Sequence, residues 1–319
     1  MDLRSMPLLF GLPEAEELTV LSAGHINSTF LAVCGGERYI LQSLNRSVFR
    51  APETVMDNIS RIGAAFSDIP GISVPHFIAC EDRNYAVSEG NLWRMYRYTD
   101  ANADTAADAE TAGRLFGSFI RIMDGRELSP VPVIDGFHDY DRYLAALRKK
   151  RGIDSGIMSK LNSLRGTISQ VFTSPLKKRI IHGDAKPANI IIGDTPTIID
   201  LDTVMYGYAA IDYGDLVRSF CREEEPDMQA VRDITRGFAQ GLDGLLTDEE
   251  VHSLYYGILW LTGELAVRYL TDSLSEVKYF RGKSSADCRA RGEELLAQLD
   301  MFTAHEKELK EIINNSFSC

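Results

Sequence analysis

Apolar positions follow two regimes along the chain. Up to about residue 98 they cluster in short β-branched and aromatic runs, and beyond about residue 108 they recur every three or four positions. The first regime predicts strands over 18–21 and 29–33 and a third starting at 39–41, with Cys34-Gly35-Gly36-Glu37 as the tight turn between the last two. Val55, Met56, Ile59, Ile62 and Phe66 then fall at helical spacing behind Pro52, which predicts one helix over 52–68. Short β-like pieces follow near 72–74 and 85–87, and a strand over 92–98 closes this part. The polar, Ala- and Asp-rich stretch 99–108 reads as a boundary. Beyond it, Leu115, Phe116, Phe119, Ile120 and Met123 form one helical stripe, 140–147 begins another, and 249–313 reads as long helices with loops near Asp272 and 281–285. One β signature interrupts the helical part: 190–192 and 198–199 flank Gly193-Asp194-Thr195-Pro196 as a hairpin. The class expected is α+β, with a small antiparallel-sheet lobe over 1–98 and a mainly helical lobe over 99–319.

Composition narrows the partners. With 319 residues, 45% of them hydrophobic, the chain can fill a sizeable core. A formal charge of −12 without a basic patch argues against a nucleic-acid partner. Cys34, Cys80, Cys221, Cys288 and Cys319 are scattered and form no Cys-x-x-Cys pair, as expected of reduced thiols rather than a zinc site or disulfide framework. The apolar run 6–12 is short and broken by prolines, so neither a signal peptide nor a membrane span is expected, and a cytoplasmic protein is.

The chemistry concentrates around the hairpin. His182-Gly183-Asp184-Ala185-Lys186-Pro187-Ala188-Asn189 precedes it, and Asp200 and Asp202 follow it, so acidic groups gather at one end of two paired strands. That suits phosphoryl transfer, which asks a protein mainly to position groups and neutralise charge. Asp184 can accept the proton of an attacking hydroxyl, and Lys186 is a point charge for a transferring phosphoryl group. Asn189 and Asp200 offer the hard oxygens that Mg²⁺ prefers, and Asp202 can hold a second ion or orient the first. His182 reads as a buried support of the loop rather than as a base.

These residues resemble the catalytic loop and metal site of the aminoglycoside phosphotransferase and choline kinase superfamily. They are also similar to the catalytic-loop and metal-site pair of protein kinases, with Gly183 in place of an Arg. The resemblance implies a protein-kinase-like two-lobe fold, ATP and Mg²⁺ as cofactors, and a small-molecule acceptor. It places Gly24, His25 and Asn27 in the nucleotide-covering turn, and Met95, Tyr96 and Tyr98 beside the adenine, with Trp93 in the core. It also makes Asp215, in Ile211-Asp212-Tyr213-Gly214-Asp215, the acid that anchors the catalytic loop.

Within the superfamily the chain resembles the N-acetylhexosamine 1-kinase group. The blocks that carry this are 24–30, 38–42, Phe137-His138-Asp139, 199–203, Arg268-Tyr269-Leu270 and Arg289-Ala290-Arg291. In that resemblance His138, Asp139, Arg268, Arg289 and Arg291 contact sugar or phosphate; the plainer reading makes them turn formers and helix charges. Most of the superfamily carries a phosphate-binding Lys where this chain has Gln42, and the sugar 1-kinase group resembles this chain in having Gln there. The segment after Asp139 is shorter than in that group. The function expected is transfer of the γ-phosphate of ATP to a sugar hydroxyl, the anomeric one of an N-acetylhexosamine. Kinases of aminoglycosides, choline, methylthioribose or homoserine, and a nucleotide-binding pseudokinase, are the alternatives.

Overall fold

A computed structural model describes residues 2–21, 27–100, 106–129, 131–173, 175–221, 225–280 and 282–318. After a 3-10 helix at Leu3–Phe10 come β1 (Glu17–Val20), β2 (Ser28–Cys34), β3 (Glu37–Ser43), α1 (Pro52–Phe66), β4 (Ala86–Ser88) and β5 (Asn91–Arg97). Next are α2 (Ala109–Met123), α3 (Tyr140–Arg148), α4 (Ser155–Val171), β6 (Arg179–Ile181), β7 (Ile190–Ile191), β8 (Thr197–Ile198) and β9 (Met205–Gly207). The chain ends in α5 (Ala209–Phe220), α6 (Met228–Leu242), α7 (Asp248–Ser273), α8 (Ser285–Ala304) and α9 (Glu306–Phe317). No helix among the described residues is long and apolar enough to cross a membrane.

The chain divides into two compact units. The first comprises Met1–Ala106, Glu127–Asp135 and Asn189–Val204, and the second Ala107–Arg126, Gly136–Ala188 and Met205–Cys319. The β7–β8 hairpin, which the sequence reading grouped with the helical lobe, falls in the first.

The first unit is built on an antiparallel sheet in the order β1-β2-β3-β5-β4. Gly35 and Gly36 both have positive φ, 60° and 78°, which the two-residue turn joining β2 to β3 demands. Strand alternation separates two faces. On one, Ala32, Cys34, Tyr39, Leu41, Trp93 and Met95 pack with Met6 and Phe10 of the N-terminal 3-10 helix. The opposite positions align Thr29 with Gln42 and Gln42 with Arg94 across β2, β3 and β5. The expected strand near 72–74 shrinks to a single bridge, Ser73 with Thr197. Pro70 and Pro75 bracket it, and neither has an N–H for a ladder. That bridge still ties the hairpin down, since Ser73 N–H donates to the Pro196 carbonyl (2.9 Å) and Ile198 N–H to the Ser73 carbonyl (2.9 Å).

The second unit is helical and has two seams without side-chain padding. Where α2 crosses α6, a Cβ on Gly113 would stand 2.2 Å from the Ile234 carbonyl oxygen, and one on Gly117 2.4 Å from that of Phe238. Reciprocally, a Cβ on Gly237 would lie 2.0 Å from the Glu110 oxygen and one on Gly241 2.2 Å from that of Arg114. The Gly-x-x-x-Gly spacing on each helix puts both glycines on one face, so the backbones touch directly. Gly214 of α5 and Gly257 of α7 make a second contact of this kind. The region 249–313 is helical as expected, with a further break at His305 between α8 and α9. Helix starts are capped by Thr247 with Glu250 and by Ser284 with Asp287, each pair exchanging bonds reciprocally.

Candidate active site

In the second unit, the segment from His182 to Ala188 leaves β6, which pairs with β9. His182 is completely buried, edge-on to Phe116 (5.3 Å) and Phe119 (5.7 Å) of α2, and its Nδ1 accepts the Asp184 N–H at 3.3 Å. Gly183 adopts φ 80°, a conformation an L side chain rarely takes. Its peptide groups are held from two sides. Asp212 of α5 accepts the His182 N–H (2.7 Å) and the Gly183 N–H (2.8 Å), one on each carboxylate oxygen. His138 Nε2 donates to the Gly183 carbonyl (2.7 Å), while its Nδ1 faces Glu264 at 3.1 Å.

The charges follow from these partners. Burial raises the Asp212 carboxyl to about 6, against the opposing pull of His182 and the two peptide N–H groups. Burial works against a charged His138, yet Glu264 and the Gly183 carbonyl outweigh it and the pKa is raised. Burial likewise opposes ionised Glu264, but His138 and Arg268 leave it lowered. Both nitrogens of His138 face acceptors, so the imidazolium fits and a neutral ring would forgo one bond.

On this loop Lys186 Nζ lies 2.6 Å from Asp184 Oδ2, with both side chains partly open to solvent. The other expected residues of this unit take plainer positions. His138 is buried against the loop with both ring nitrogens engaged by Glu264 and Gly183, so its ring is not presented to a substrate hydroxyl. Asp139 caps α3 by accepting the Arg142 N–H at 2.9 Å. Arg289 and Arg291 pair with Glu293 (2.5 Å) and Glu294 (2.7 Å) on their own helix, α8. Asp215 does not hold the loop: it is paired with Arg218, and Asp212, one helical turn earlier, makes the anchoring bonds. Arg268 lies among aromatic faces, 5.2 Å from the ring of Tyr143, 4.6 Å from Tyr279, 5.5 Å from Phe280 and 5.9 Å from Phe137.

In the first unit, the Asn189 carbonyl accepts the Ile199 N–H at 2.9 Å, which brings Asn189 and Asp200 to the same end of the β7–β8 pair. Asp200 is exposed and sits in the left-handed region at φ 62°, ψ 52°. It makes no side-chain cap for the 3-10 turn Leu201–Thr203 that follows. Its carboxylate and the Asn189 amide are hard oxygen donors that suit Mg²⁺.

Asp202 has another commitment. It is 2% exposed, takes a bidentate pair from Arg94 (Nη1 to Oδ1 2.5 Å, Nη2 to Oδ2 2.9 Å) and accepts Asn27 Nδ2 on Oδ2 at 2.7 Å. A carboxylate clamped by a guanidinium in this way is a poor ligand for a second ion, so the metal-binding expectation for Asp202 gives way to a supporting position. Asn27, expected in the nucleotide-covering turn, is joined to the same cluster and accepts the Asn45 N–H at 3.1 Å. Gly24 and His25 lie outside the described residues. Gln42 spans Thr29 and Arg94, donating to Thr29 Oγ1 (3.0 Å) and accepting Arg94 Nε (2.9 Å).

On β5, Met95 turns into the core with Trp93, so its side chain does not face an adenine; its carbonyl accepts the Ile78 N–H at 2.8 Å. Tyr96 is on the Arg94 face, against Phe77 at 4.9 Å. Burial is the main reason its hydroxyl is raised to about 12, helped by Asp202 and Asp200 against Arg94. Tyr98 carries the Arg38 guanidinium 4.8 Å above its ring.

Arg94, Asp212 and Glu264 were missed as site residues. Each is a lone charge inside an apolar run, Leu92-Trp93-Arg94-Met95, Ala210-Ile211-Asp212-Tyr213 and Gly263-Glu264-Leu265-Ala266, and such a charge needs a buried partner.

Residues 17–245 match the model of the APH phosphotransferase enzyme family. Among solved structures, the chain is similar to a microcompartment-associated aminopropanol kinase, at 14% identity and TM-score 0.73, over 97% of this chain and 99% of that one. A choline/ethanolamine kinase family protein from Mesorhizobium loti matches at 18% identity and TM-score 0.69, over 100% and 97%. An amicoumacin kinase in complex with AMP-PNP and Ca²⁺ matches at 15% identity and TM-score 0.68, over 94% of each chain. The fold is that of the kinase-like phosphotransferases, and the chain belongs to the APH phosphotransferase enzyme family, whose members transfer a phosphoryl group to a hydroxyl of a small molecule.

Proposed function

We propose that the protein is an ATP- and Mg²⁺-dependent kinase of a sugar hydroxyl, the anomeric one of an N-acetylhexosamine. In this reading residues 1–98 cover the nucleotide and 99–319 carry the acceptor side. Asp184 takes the proton of the attacking hydroxyl as the hydroxyl oxygen bonds to the γ-phosphorus and the bond from that phosphorus to the β–γ bridging oxygen breaks, with ADP as the leaving group. Lys186, 2.6 Å from Asp184, neutralises charge on the transferring group and holds the carboxylate in one place. Asn189 and Asp200 would hold Mg²⁺, which when bound would supply charge neutralisation on the phosphates. The observation that carries the kinase reading is the loop itself: Asp212 and His138 fix the peptide groups around Gly183, so Asp184 leaves a pinned backbone.

The choice of acceptor rests on the sequence blocks around Gly24, Tyr39, Phe137 and Arg268 together, and on one feature of Arg268. Its guanidinium already occupies the aromatic faces of Tyr143, Tyr279 and Phe280, and through Glu264 and His138 it is linked to Gly183, next to Asp184. Aromatic faces filled by the protein's own cation favour an uncharged acceptor over a quaternary ammonium. An amino alcohol is the second reading, supported by the aminopropanol and choline/ethanolamine kinases among the structural neighbours.

The test is ATP consumption across sugars, amino alcohols and aminoglycosides, followed by phosphorus NMR of the product, with a 1-O-methyl glycoside as competitor. A methyl glycoside phosphorylated as fast as the free sugar removes the anomeric assignment. Reaction with amino alcohols alone removes the sugar. Asp184→Asn should lower turnover by about 10² to 10⁴ with nucleotide affinity little changed, and turnover within a few fold of the parent removes Asp184 as the base.

A further inference from the structure

Gln42 cannot provide a charge, and the first unit contains a different solution. The guanidinium of Arg94, on the strand beside Gln42, is 2% exposed and has a partner on every side the structure describes. Its Nε donates to Gln42, both terminal nitrogens donate to Asp202, and its face lies 5.2 Å from the Phe77 ring. Gln42 is in turn fixed by Thr29, and Asp202 receives a further bond from Asn27. The chain of bonds runs from β2 through β3 and β5 to the acidic turn, and ends two residues past Asp200.

We propose that Gln42 and Arg94 are positioning residues for the acidic turn. Gln42 orients Arg94, Arg94 clamps Asp202, and the clamped Asp202 keeps Asp200 in the left-handed conformation from which its carboxylate meets the divalent cation of the nucleotide. The 3-10 turn Leu201–Thr203 is held at Asp202, which receives both terminal nitrogens of Arg94 and the Asn27 amide. Arg94 also cancels the charge of Asp202, which leaves Asp200 as the acid of the turn that faces solvent. The inference rests on the kinase reading above. It carries a consequence opposite to what the family resemblance suggests: a Lys at position 42 is harmful, because it takes the acceptor from Arg94 Nε and sets a second cation beside the guanidinium.

The experiment measures nucleotide binding by calorimetry over a Mg²⁺ titration for the parent, Gln42→Lys, Gln42→Leu and Gln42→Glu, with circular dichroism as the fold check. Groups that orient a metal ligand typically change metal affinity by about 10- to 100-fold. Gln42→Lys and Gln42→Leu should therefore raise the Mg²⁺ concentration for half-maximal binding at least about tenfold. Gln42→Glu keeps an acceptor for Arg94 and should stay within about threefold of the parent. A merely structural role would lower the melting temperature and leave the Mg²⁺ midpoint of the folded protein in place. Gln42→Lys that binds Mg-nucleotide as well as the parent overturns the inference. If Gln42→Lys does not fold, an unchanged midpoint in Gln42→Leu overturns it equally. A parent that binds no nucleotide with Mg²⁺ removes the kinase reading and this inference together, whereas a parent that binds, with variants that match it, removes this inference alone.

Discussion

Asp212→Asn tests the anchoring of the 182–188 loop through a signature that depends on pH. In the parent the carboxyl moves from 3.8 to about 6 on folding. The folded state thus binds the proton more tightly, so the stability linked to this group is complete below pH 3.8 and is lost as pH rises through about 6. At about 1.4 kcal/mol per pKa unit, the full effect is roughly 3 kcal/mol, about half of which falls between pH 5 and pH 7.5. Asn does not titrate. Its single oxygen can accept from one of the two peptide N–H groups, and its amide hydrogens face the other, which costs about 1–3 kcal/mol for an unsatisfied buried donor. The variant should therefore be less stable than the parent, with a deficit that shrinks by about 1–2 kcal/mol from pH 5 to pH 7.5. Urea denaturation of both proteins at the two pH values reads this directly, because the other titrating groups are common to both. Turnover should fall on the order of 10², since the loop that carries Asp184 loses one of its holds. A deficit that does not change with pH, together with turnover within a few fold of the parent, would refute the reasoning.

Two further outcomes are expected. Asp200→Ala should weaken Mg²⁺-dependent nucleotide binding by about 10-fold or more, read by calorimetry with and without the ion, and an unchanged affinity would remove Asp200 as a ligand. Gly237→Ala should destabilise the protein by at least about 1–3 kcal/mol, because its methyl would stand 2.0 Å from a backbone oxygen that no side-chain rotation can move; a melting temperature equal to the parent's would contradict the close crossing.

The sequence made local features legible where residue type and spacing act together. Paired glycines at 35 and 36 gave the turn, the stripe from Leu115 to Met123 gave α2, and the loop from His182 to Asn189 pointed to the phosphotransferase family. The second unit hid α4, whose apolar positions Leu161, Leu164 and Ile168 are sparse among polar residues and Gly166. It also hid α6, which contains three of the small or polar residues, Thr235, Gly237 and Gly241, that its buried face requires. Asp212 and Asp215 lie three residues apart on one helix, and only the fold shows which of them meets the loop. The commitment of Asp202 was out of reach for the same reason, since its partner Arg94 is 108 residues away in sequence. His138 matched a sugar-kinase block, but its burial against Gly183 and Glu264 is a property of three distant segments.

The crossing of α2 and α6 also limits how the chain can be recombined with its relatives. Most helix pairs tolerate the exchange of one partner, because side chains at the contact repack around the newcomer. Here four glycines bring main chain against main chain, so the contact has no adjustable part. A chimera that imports α2 alone, or α6 alone, meets a fixed wall of carbonyl oxygens, and each alanine brought to the crossing destabilises the pair. The two helices are therefore one heritable module. Phe116 and Phe119 on α2 flank His182 in the 182–188 loop, so a graft that splits the module disturbs the loop as well as the packing.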